Sequence, residues 1–249
     1  MNDLNTIQGK SALVLGGSRG IGAAIARRLA AGGASVAITY VQGADAANAV
    51  VDDIVKAGGR AIAVQADSAS DTAVEGAVTK TMEAFGSFDI LVNNAGVLAI
   101  APIEDFTNED LDRTLAVNVR AAVIASRAAA RVMGHGGRII HIGSTNAERM
   151  PFAGGAVYAM SKSALVGLTQ GLARDLGPKG ITVNVVQPGP IDTDMNPAKG
   201  PMAEGLIPFL AVGRYGHAHE VASFVAYLAG PEAANITGSS LMIDGGFAA

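Results

Sequence analysis

The sequence predicts an α/β protein whose core is a doubly wound parallel sheet of about seven strands, with helices on both faces. Short apolar runs of strand length alternate along the chain with longer Ala-rich segments of helical periodicity. Parallel strands are buried on both faces and therefore read as continuous apolar runs, as these do. No linker, low-complexity tract or charge block interrupts the alternation, so we expect residues 1–249 to form a single domain.

The first half of the chain contains three strand–helix units and a fourth strand. Glycine pairs at 32–33 and 58–59 end the first two helical segments, as is common at helix C-termini. We expect strands at 11–17, 34–40, 60–67 and 88–96, and helices at 21–33, at 44–59 and up to about residue 85.

The second half continues the alternation with one interruption. The segment 190–216 is irregular and holds four of the nine prolines. An irregular stretch inside a compact domain is usually a lid or a binding loop, so we expect it to cover a substrate site. The remaining elements are expected as helices at about 108–133, 155–176 and 219–229 and as strands at 137–144, 180–189 and 239–246.

The composition excludes several classes of function. A formal net charge of −4 offers no basic field for nucleic acid or for an anionic membrane surface. The chain has no cysteine, and the pair His217 and His219 lacks the nearby carboxylates of a metal site, so we expect no metal. The polar opening MNDLNTIQGK is unlike a signal peptide, and no run approaches the roughly 18 apolar residues of a membrane span. We therefore expect a cytoplasmic protein with no membrane partner.

A glycine-rich turn, LGGSRGIG, joins the first strand to the first helix. Its glycines at 16, 20 and 22 have GxxxGxG spacing. Glycines at such a turn let a pyrophosphate reach backbone N–H groups at the positive end of the helix. The same residues also serve a tight turn without a ligand, and that alternative stays open.

The turn and the second strand together bear on the cofactor. Dinucleotide folds that bind NAD usually carry an acid at the end of the second strand, which binds the ribose diol and repels a 2′-phosphate. Here that strand ends in Thr39, Tyr40 and Val41, and no carboxylate follows until Asp45. With Arg19 in the turn, this favours NADP(H) over NAD(H). The alternative is that Arg19 is a solvated surface side chain.

The stretch YAMSK places Tyr158 and Lys162 four residues apart in a segment of helical pattern. Residues at this spacing lie on one helix face. A nearby cation favours the ionised phenol, which would bring its pKa toward a value useful for proton transfer. The alternative is a core tyrosine beside a surface lysine.

Several motifs that are individually weak follow one another from about residue 9 to the C-terminus, and their order and spacing make them specific together. They are the GxxxGxG turn at 16–22, NNAG at 93–96, Asn118 in LAVNVRA, Ser144 in IIHIGS, YAMSK at 158–162, PGPIDT at 188–193 and TGSSLMIDGG at 237–246. In these motifs the sequence resembles the short-chain dehydrogenase/reductase family.

Two branches of this family are similar to the chain. PGPIDTDM and the second strand resemble 3-oxoacyl-carrier-protein reductases. LGGSRGIG, ERMP and VVQPGPIDTDMNPAKGPM resemble more closely a bacterial subgroup named as cyclic-di-GMP-binding biofilm dispersal mediators.

The resemblance implies a Rossmann-fold oxidoreductase that transfers hydride between NADPH and a carbonyl or alcohol substrate. Tyr158 would exchange a proton with the substrate oxygen, and Lys162 would lower the phenol pKa and bind the nicotinamide ribose. Ser144 would stabilise charge on that oxygen, and Asn118 would hold a backbone kink and a relay water. Taken singly, Ser144 could instead be a strand-end cap and Asn118 a helix hydrogen-bonding residue.

The resemblance also implies where the cofactor binds. Asp67 would lie at the adenine, although it could instead form a turn. The NNAG turn would line the adenosine half of the cofactor, and residues 188–193 would contact the nicotinamide amide. The implied cofactor-binding residues are Gly16, Ser18, Arg19, Gly20, Ile21, Gly22, Tyr40, Asp67, Ser68, Asn94, Ala95, Gly96, Tyr158, Lys162, Pro188, Gly189, Ile191 and Thr193.

One departure from the family pattern and one open question qualify these expectations. The family's usual Thr before the first turn glycine is Leu15 here, so a hydroxyl that ties the turn to NNAG is missing, and either the cofactor affinity or the rigidity of the turn is expected to differ from the family's. Glu148 and Arg149 lie near the expected substrate mouth, where they could select a polar substrate or face solvent.

The expected partners are a small carbonyl or alcohol compound and further copies of the chain. By resemblance we expect a homotetramer, a dimer of dimers, in which the two long helices before strands five and six pair in one interface and the last strand builds the other. The alternative function is a nucleotide-binding, cyclic-di-GMP-type sensor on the same scaffold with little turnover.

Overall fold

A computed structural model describes residues 7–249, except for the side chain of Pro201. The first six residues, with which the expected domain begins, lie outside the described residues. The central sheet has seven strands in the order β3-β2-β1-β4-β5-β6-β9, and every neighbouring pair is parallel. The strands are β1 (Ser11–Leu15), β2 (Ser35–Tyr40), β3 (Arg60–Gln65), β4 (Ile90–Asn93), β5 (Arg138–Ile142), β6 (Thr182–Pro188) and β9 (Ser240–Ile243), and a separate parallel pair is formed by β7 (Ile191–Asp192) and β8 (Gly216–His217).

Helices cover both faces of the sheet and confirm the predicted doubly wound architecture. One apolar layer contains residues of α1, α2 and α8, and the other contains residues of α3, α5 and α6. Burial of the strands from both sides explains why they read as continuous apolar runs. The helices are α1 (Gly20–Ala31), α2 (Ala44–Lys56), α3 (Asp71–Phe85), α4 (Asn108–Leu115), α5 (Ala121–Val132), α6 (Ala156–Leu176), α7 (Pro201–Leu206) and α8 (Ala218–Ala229).

The helix expected at about 108–133 is not continuous. Helix α4 ends at Leu115, one π-helical turn spans Ala116–Arg120, and α5 begins at Ala121. A π turn widens the helix by a residue, and such turns are frequent at functional sites. Asn118 lies in this turn, so the interruption coincides with a predicted catalytic residue.

Two other expectations about local structure need correction. The strand expected at 88–96 ends at Asn93, because the NNAG turn leaves the sheet at its C-terminal edge. The segment 190–216 is more regular than expected, since it contains β7, α7 and a 3-10 turn at Ile207–Phe209. Strand β7 pairs with β8, Ile191 opposite Gly216, so the two ends of this segment are joined at its base.

Within residues 7–249, no helix is long and apolar enough to cross a membrane.

Candidate active site

The predicted site residues gather at the C-terminal edge of the sheet. Strands β1 and β4 are neighbours, and the strand order runs outward from them in both directions. In open α/β sheets, the loops leaving such a switch point diverge and form a crevice for a ligand. The glycine turn follows β1 and the NNAG turn follows β4, so both border this crevice.

The glycine turn requires its glycines for two different reasons. Gly16 and Gly20 have φ of +70° and +54°, which side-chain-bearing residues rarely adopt. A Cβ atom on Gly22 would lie 2.2 Å from the carbonyl oxygen of Gly16 and 2.5 Å from Nδ2 of Asn94. The turn is therefore compact, with its backbone against the N-terminus of α1.

Two side chains hold the glycine turn in place and correct the expectation drawn from Leu15. The Gly16 N–H donates to Oγ1 of Thr39 at 2.9 Å. Asn94 Nδ2 donates to the carbonyl oxygens of Leu15 and Gly16 at 3.2 and 2.9 Å. The turn is thus tied to both β2 and the NNAG turn without a hydroxyl at position 15.

Tyr158 and Lys162 lie on α6 as the spacing predicts. The Lys162 Nζ is 5.8 Å from the centre of the Tyr158 ring, and it donates to the carbonyl oxygen of Ile142 at 3.0 Å. Lys162 is buried, which disfavours its charged form and lowers its pKa to about 8. The lysine is therefore not the surface side chain of the alternative interpretation.

The sequence predicted a lowered pKa for Tyr158, and the structure shows that this direction is wrong. Burial of the hydroxyl raises the pKa of Tyr158, and a hydrogen bond with Ser144 offsets only part of that rise. Lys162 does not reverse this rise, since its Nζ lies 5.8 Å from the ring centre and donates to the Ile142 carbonyl oxygen. At neutral pH the phenol is protonated.

Ser144 stands where β5 ends, and its surroundings fix its position. Its hydroxyl accepts a hydrogen bond from the Asn146 N–H at 3.2 Å, so it also caps the following turn, as the alternative interpretation proposed. Its own N–H donates to Oε1 of Gln187 at 2.6 Å. A Cβ atom on Gly143 would lie 2.0 Å from that Gln187 oxygen, so glycine is needed there.

Gln187 was not predicted as a site residue. It lies on β6, and its Nε2 donates to Oγ of Ser240 on β9 at 3.2 Å. Through Gln187, Ser144 is therefore connected to two neighbouring strands. The sequence contains a signal for it, because a glutamine directly follows the valine pair in the strand segment TVNVVQP.

Asn118 links three parts of the site. Its Oδ1 accepts from the Val97 N–H at 2.8 Å and its Nδ2 donates to the Val97 carbonyl oxygen at 3.0 Å. The same Nδ2 donates to Oγ of Ser161 at 3.0 Å, and that hydroxyl donates to the Tyr158 carbonyl oxygen at 2.7 Å. The π turn is thereby joined to the segment after β4 and to α6. Ser161 was missed because no pattern marks it.

The NNAG turn and the segment after β6 close around these residues. A Cβ atom on Gly96 would lie 3.3 Å from Lys162 Nζ, and one on Gly16 would lie 3.0 Å from the Cα of Ala95. A Cβ on Gly20 would lie 3.5 Å from Cγ2 of Thr193. The structure therefore brings the predicted elements from β1, β4, α6 and β7 into one crevice.

The other predicted cofactor residues differ in exposure. Arg19 is exposed at the N-cap of α1. The Asp67 carboxylate accepts from the Ala69 N–H at 2.9 Å, which is the turn of the alternative interpretation. Ser18, Ile21, Tyr40 and Gly189 are half-buried, and Ser68, Pro188 and Ile191 are buried.

Arg149 binds other residues of the protein through a hydrogen bond and two aromatic contacts. Its Nη1 donates to the Phe247 carbonyl oxygen at 2.7 Å. Its guanidinium also lies 5.5 Å from the ring centre of Phe209 and 5.9 Å from that of Phe247, which are cation–π distances. Arg149 therefore joins the segment after β5 to the segment 190–216 and to the C-terminal segment, and no sequence pattern predicted these contacts.

A buried polar cluster lies on β4 and β5 close to the site. Asn93 Nδ2 donates to Nδ1 of His141 at 3.0 Å and lies 3.3 Å from Oγ of Ser126. Burial, with the charge of Lys162 as a smaller cause, lowers the pKa of His141 to about 4. His141 is therefore neutral in the folded protein at neutral pH.

This pKa predicts how stability depends on pH. An unfolded histidine has a pKa of about 6.5, so the unfolded state binds more protons between about pH 4 and 6.5. Stability due to neutral His141 is full above that window and is lost as the pH falls through it. Between pH 6.5 and 5 we expect the free energy of unfolding to fall by about 1 to 2 kcal/mol from this residue.

Denaturant unfolding at several pH values measures this effect. The variant His141→Asn should show a shallower decline, whereas His219→Asn, which changes an exposed histidine, should follow the wild type. Equal slopes for wild type and His141→Asn would contradict the prediction.

No group of three or more histidine and acidic side chains is arranged as metal ligands in the part of the chain that the structure describes.

Comparison with known proteins agrees with this geometry. Residues 16–248 match the family model described as enoyl-(acyl carrier protein) reductase. The chain is 50% identical over 246 residues to the cyclic-di-GMP-binding biofilm dispersal mediator protein of Escherichia coli (strain K12), covering 99% of this chain and 100% of that protein. It is 39% identical over 246 residues to a 3-oxoacyl-[acyl-carrier-protein] reductase of Synechocystis, covering 98% of each.

A solved structure extends the similarity to three dimensions. The crystal structure of a short-chain dehydrogenase from Burkholderia cenocepacia J2315 in complex with NADP is 58% identical to the chain. The two agree with a TM-score of 0.97, over 98% of this chain and 100% of that one.

The doubly wound sheet, the glycine-lined crevice and the Tyr–Lys pair on α6 define a Rossmann-fold oxidoreductase. Within that class, the chain belongs to the short-chain dehydrogenase/reductase family. The resemblance drawn from the motifs is confirmed, and so is the greater similarity to the biofilm dispersal mediator than to the 3-oxoacyl reductase.

Proposed function

We propose that the protein is an NADP(H)-dependent oxidoreductase that interconverts a carbonyl compound and its alcohol, with Tyr158 as the general acid and base. The observation that carries the proposal is that the Ser144 hydroxyl lies close enough to that of Tyr158 to lower the phenol pKa, with buried Lys162 5.8 Å from the Tyr158 ring centre. Two hydroxyls held together at the open edge of a sheet can both reach one substrate oxygen.

The residues of the crevice suit a dinucleotide. The glycine turn presents backbone N–H groups at the N-terminus of α1, and a Cβ on Gly22 would remove the space there. The lack of a side chain on Gly96 leaves room beside Lys162 Nζ, where a Cβ atom would lie 3.3 Å away, and ribose hydroxyls are proposed to bind there. When bound, NADPH supplies the hydride that reduces the carbonyl carbon. The NADP complex of the Burkholderia relative supports this cofactor.

Residues of the protein donate and accept the proton at the substrate oxygen. Because burial raises its pKa, Tyr158 holds its proton at neutral pH and can donate it to the substrate oxygen as negative charge develops there. Ser144, fixed through Gln187 and Asn146, hydrogen-bonds the same oxygen. The Lys162 ammonium stabilises the phenolate that remains. In the direction of alcohol oxidation, the phenolate takes the proton back.

Arg19 provides a test of cofactor preference. It is exposed beside the end of β2, which carries no carboxylate to repel a 2′-phosphate. We expect Arg19→Ala to raise the KM for NADPH about 10- to 100-fold, because a charge-assisted hydrogen bond is lost, and to change the KM for NADH by less than about threefold. Lys80→Ala removes an equal charge from the exposed face of α3 and should change neither value. Equal losses for both cofactors would contradict the assignment.

We also propose that residues 190–216 act as a lid over the substrate. The segment is joined at its base by the β7–β8 pair, and Phe209 within it contacts Arg149 from the opposite wall. A segment fixed at both ends can close over a site without disturbing the sheet.

The proposed assembly is a homotetramer. Exposed apolar side chains lie on α4, α5 and α6, and β9 is an edge strand of the sheet. Those on the helices are Leu115, Val123, Val132 and Met160. Light scattering should give about four times the 25.0 kDa chain mass, and a mass near 25 kDa would contradict the proposal.

A second candidate function follows from the similarity to a protein named as cyclic-di-GMP-binding. The chain would then bind a nucleotide and turn over little. The decisive experiment is NADPH oxidation by the purified protein against a panel of carbonyl compounds, including an acetoacetyl thioester. Cofactor binding without turnover of any compound, together with saturable binding of cyclic-di-GMP in a titration, would favour the sensor over the reductase.

A further inference from the structure

Three segments form the walls of the substrate mouth. Residues 97–107, 145–155 and 190–216 follow β4, β5 and β6, which are neighbours in the sheet. The first two touch, because the Ala101 N–H donates to the Gly154 carbonyl oxygen at 3.1 Å. The second and third touch where Arg149 lies over the ring of Phe209. These walls surround the crevice that holds Ser144 and Tyr158.

Apolar side chains are concentrated on these walls. Of the fifteen large hydrophobic side chains that are exposed among the described residues, eight lie in the three segments, although the segments make up only about a fifth of the chain. Scattered exposed hydrophobics need no explanation, but a concentration around a site indicates what the site binds. Among them are Leu98, Ile100, Ile103, Phe152, Met195 and Met202.

The charged residues of the three segments do not favour binding of an anionic substrate. The three segments contain six acidic residues and three basic ones. Of the basic residues, Arg149 is bound to Phe247 and to two aromatic rings, and Arg214 forms an ion pair with Glu220 at 2.8 Å. Lys199 is the remaining basic residue of the three segments, and it is exposed. Phosphate and carboxylate recognition normally uses clustered, available Arg and Lys side chains.

We propose that the substrate is a neutral carbonyl compound with a bulky apolar substituent, such as an aryl alkyl ketone. The apolar substituent packs against the walls after β4 and β5 and under the lid, and the carbonyl oxygen reaches Tyr158 and Ser144. An anionic substrate, whether a carboxylate or a group carried on a phosphodiester, is disfavoured because its charge would enter an apolar, net acidic mouth. This inference rests on the proposed reductase function and narrows its substrate class.

Matched ketones test the proposal without depending on turnover. 4-Methylacetophenone and 4-acetylbenzoate differ chiefly in a neutral methyl group against a carboxylate. Binding of each to the protein saturated with NADP⁺, which cannot reduce them, is measured by calorimetry, and kcat/KM for each is then measured with NADPH. We expect the neutral ketone to bind at least about tenfold more tightly and to have the larger kcat/KM by a similar factor.

A charge placed in the mouth should reverse part of this preference. Leu98 is 39% exposed and follows Val97, which Asn118 holds beside the catalytic residues. Leu98→Lys should lower the preference for the neutral ketone about fivefold or more. Val55→Lys changes a 53% exposed apolar residue on α2, away from the mouth, and should leave the preference unchanged.

The outcomes separate this proposal from the reductase function. If the neutral ketone binds the NADP⁺ complex more tightly but NADPH is not oxidised, the substrate class stands and the reductase function fails. If the carboxylate binds equally or better, the substrate class is overturned even when both ketones are reduced. If neither ketone binds, or if Val55→Lys changes the preference as much as Leu98→Lys does, the proposal is overturned as well.

Discussion

Tyr158→Phe is expected to lower kcat for carbonyl reduction by about 1,000-fold while leaving the affinity for NADPH within about threefold. Phenylalanine keeps the ring on α6 and removes only the hydroxyl proposed to donate the proton. General acid catalysis contributes about 10² to 10⁴ in rate, so we expect removal of the proton donor to lower kcat by a factor within that range. The rate of NADPH oxidation measures kcat, and fluorescence titration measures the affinity for NADPH.

The matched control is Tyr227→Phe. Tyr227 is half-buried on α8, which packs on the opposite face of the sheet, so the same chemical change there should leave kcat unchanged. If Tyr158→Phe keeps most of the wild-type rate, Tyr158 is not the proton donor and the mechanism proposed above is wrong. If the two variants lose activity equally, the loss reflects the fold and not the hydroxyl.

Gly22→Ala is expected to weaken NADPH binding by about 100-fold, equivalent to about 2.7 kcal/mol. The added methyl would lie 2.2 Å from the Gly16 carbonyl oxygen and 2.5 Å from Asn94 Nδ2. The Gly16 oxygen belongs to backbone that Asn94 and Thr39 already fix, so the glycine turn itself must move. Because that turn presents the N–H groups proposed to bind the pyrophosphate, the cofactor loses its main polar contacts.

The control for this substitution is Gly76→Ala on α3, where an added Cβ meets nothing within 4 Å. It should leave NADPH affinity unchanged and stabilise the protein by up to about 1 kcal/mol, because alanine favours a helix over glycine. Calorimetric titration of NADPH and thermal unfolding of both variants separate loss of binding from loss of fold. Tight binding by a folded Gly22→Ala protein would show that the turn does not hold the pyrophosphate.

For Tyr158 and Lys162, the sequence predicts their position on the helix but not the shift of the phenol pKa. Their common helix face follows from spacing alone, and the structure confirms it. The direction in which the Tyr158 pKa is shifted does not follow from spacing, because it depends on how deeply the hydroxyl is buried and on where the Lys162 ammonium is bound. Both are properties of the assembled site.

The sequence by itself determined the α/β alternation, the order of the elements and the glycine turn. These features depend on periodicity and on special residues within short windows, which folding does not alter. Only the tertiary structure decided that Asn94 and Thr39 replace the missing hydroxyl at Leu15, that Gln187 fixes Ser144, and that Arg149 binds the C-terminal segment. Each of these contacts joins residues far apart in the chain. They exist because strand register and the position of the crossovers bring those side chains together, and neither is encoded in a local pattern.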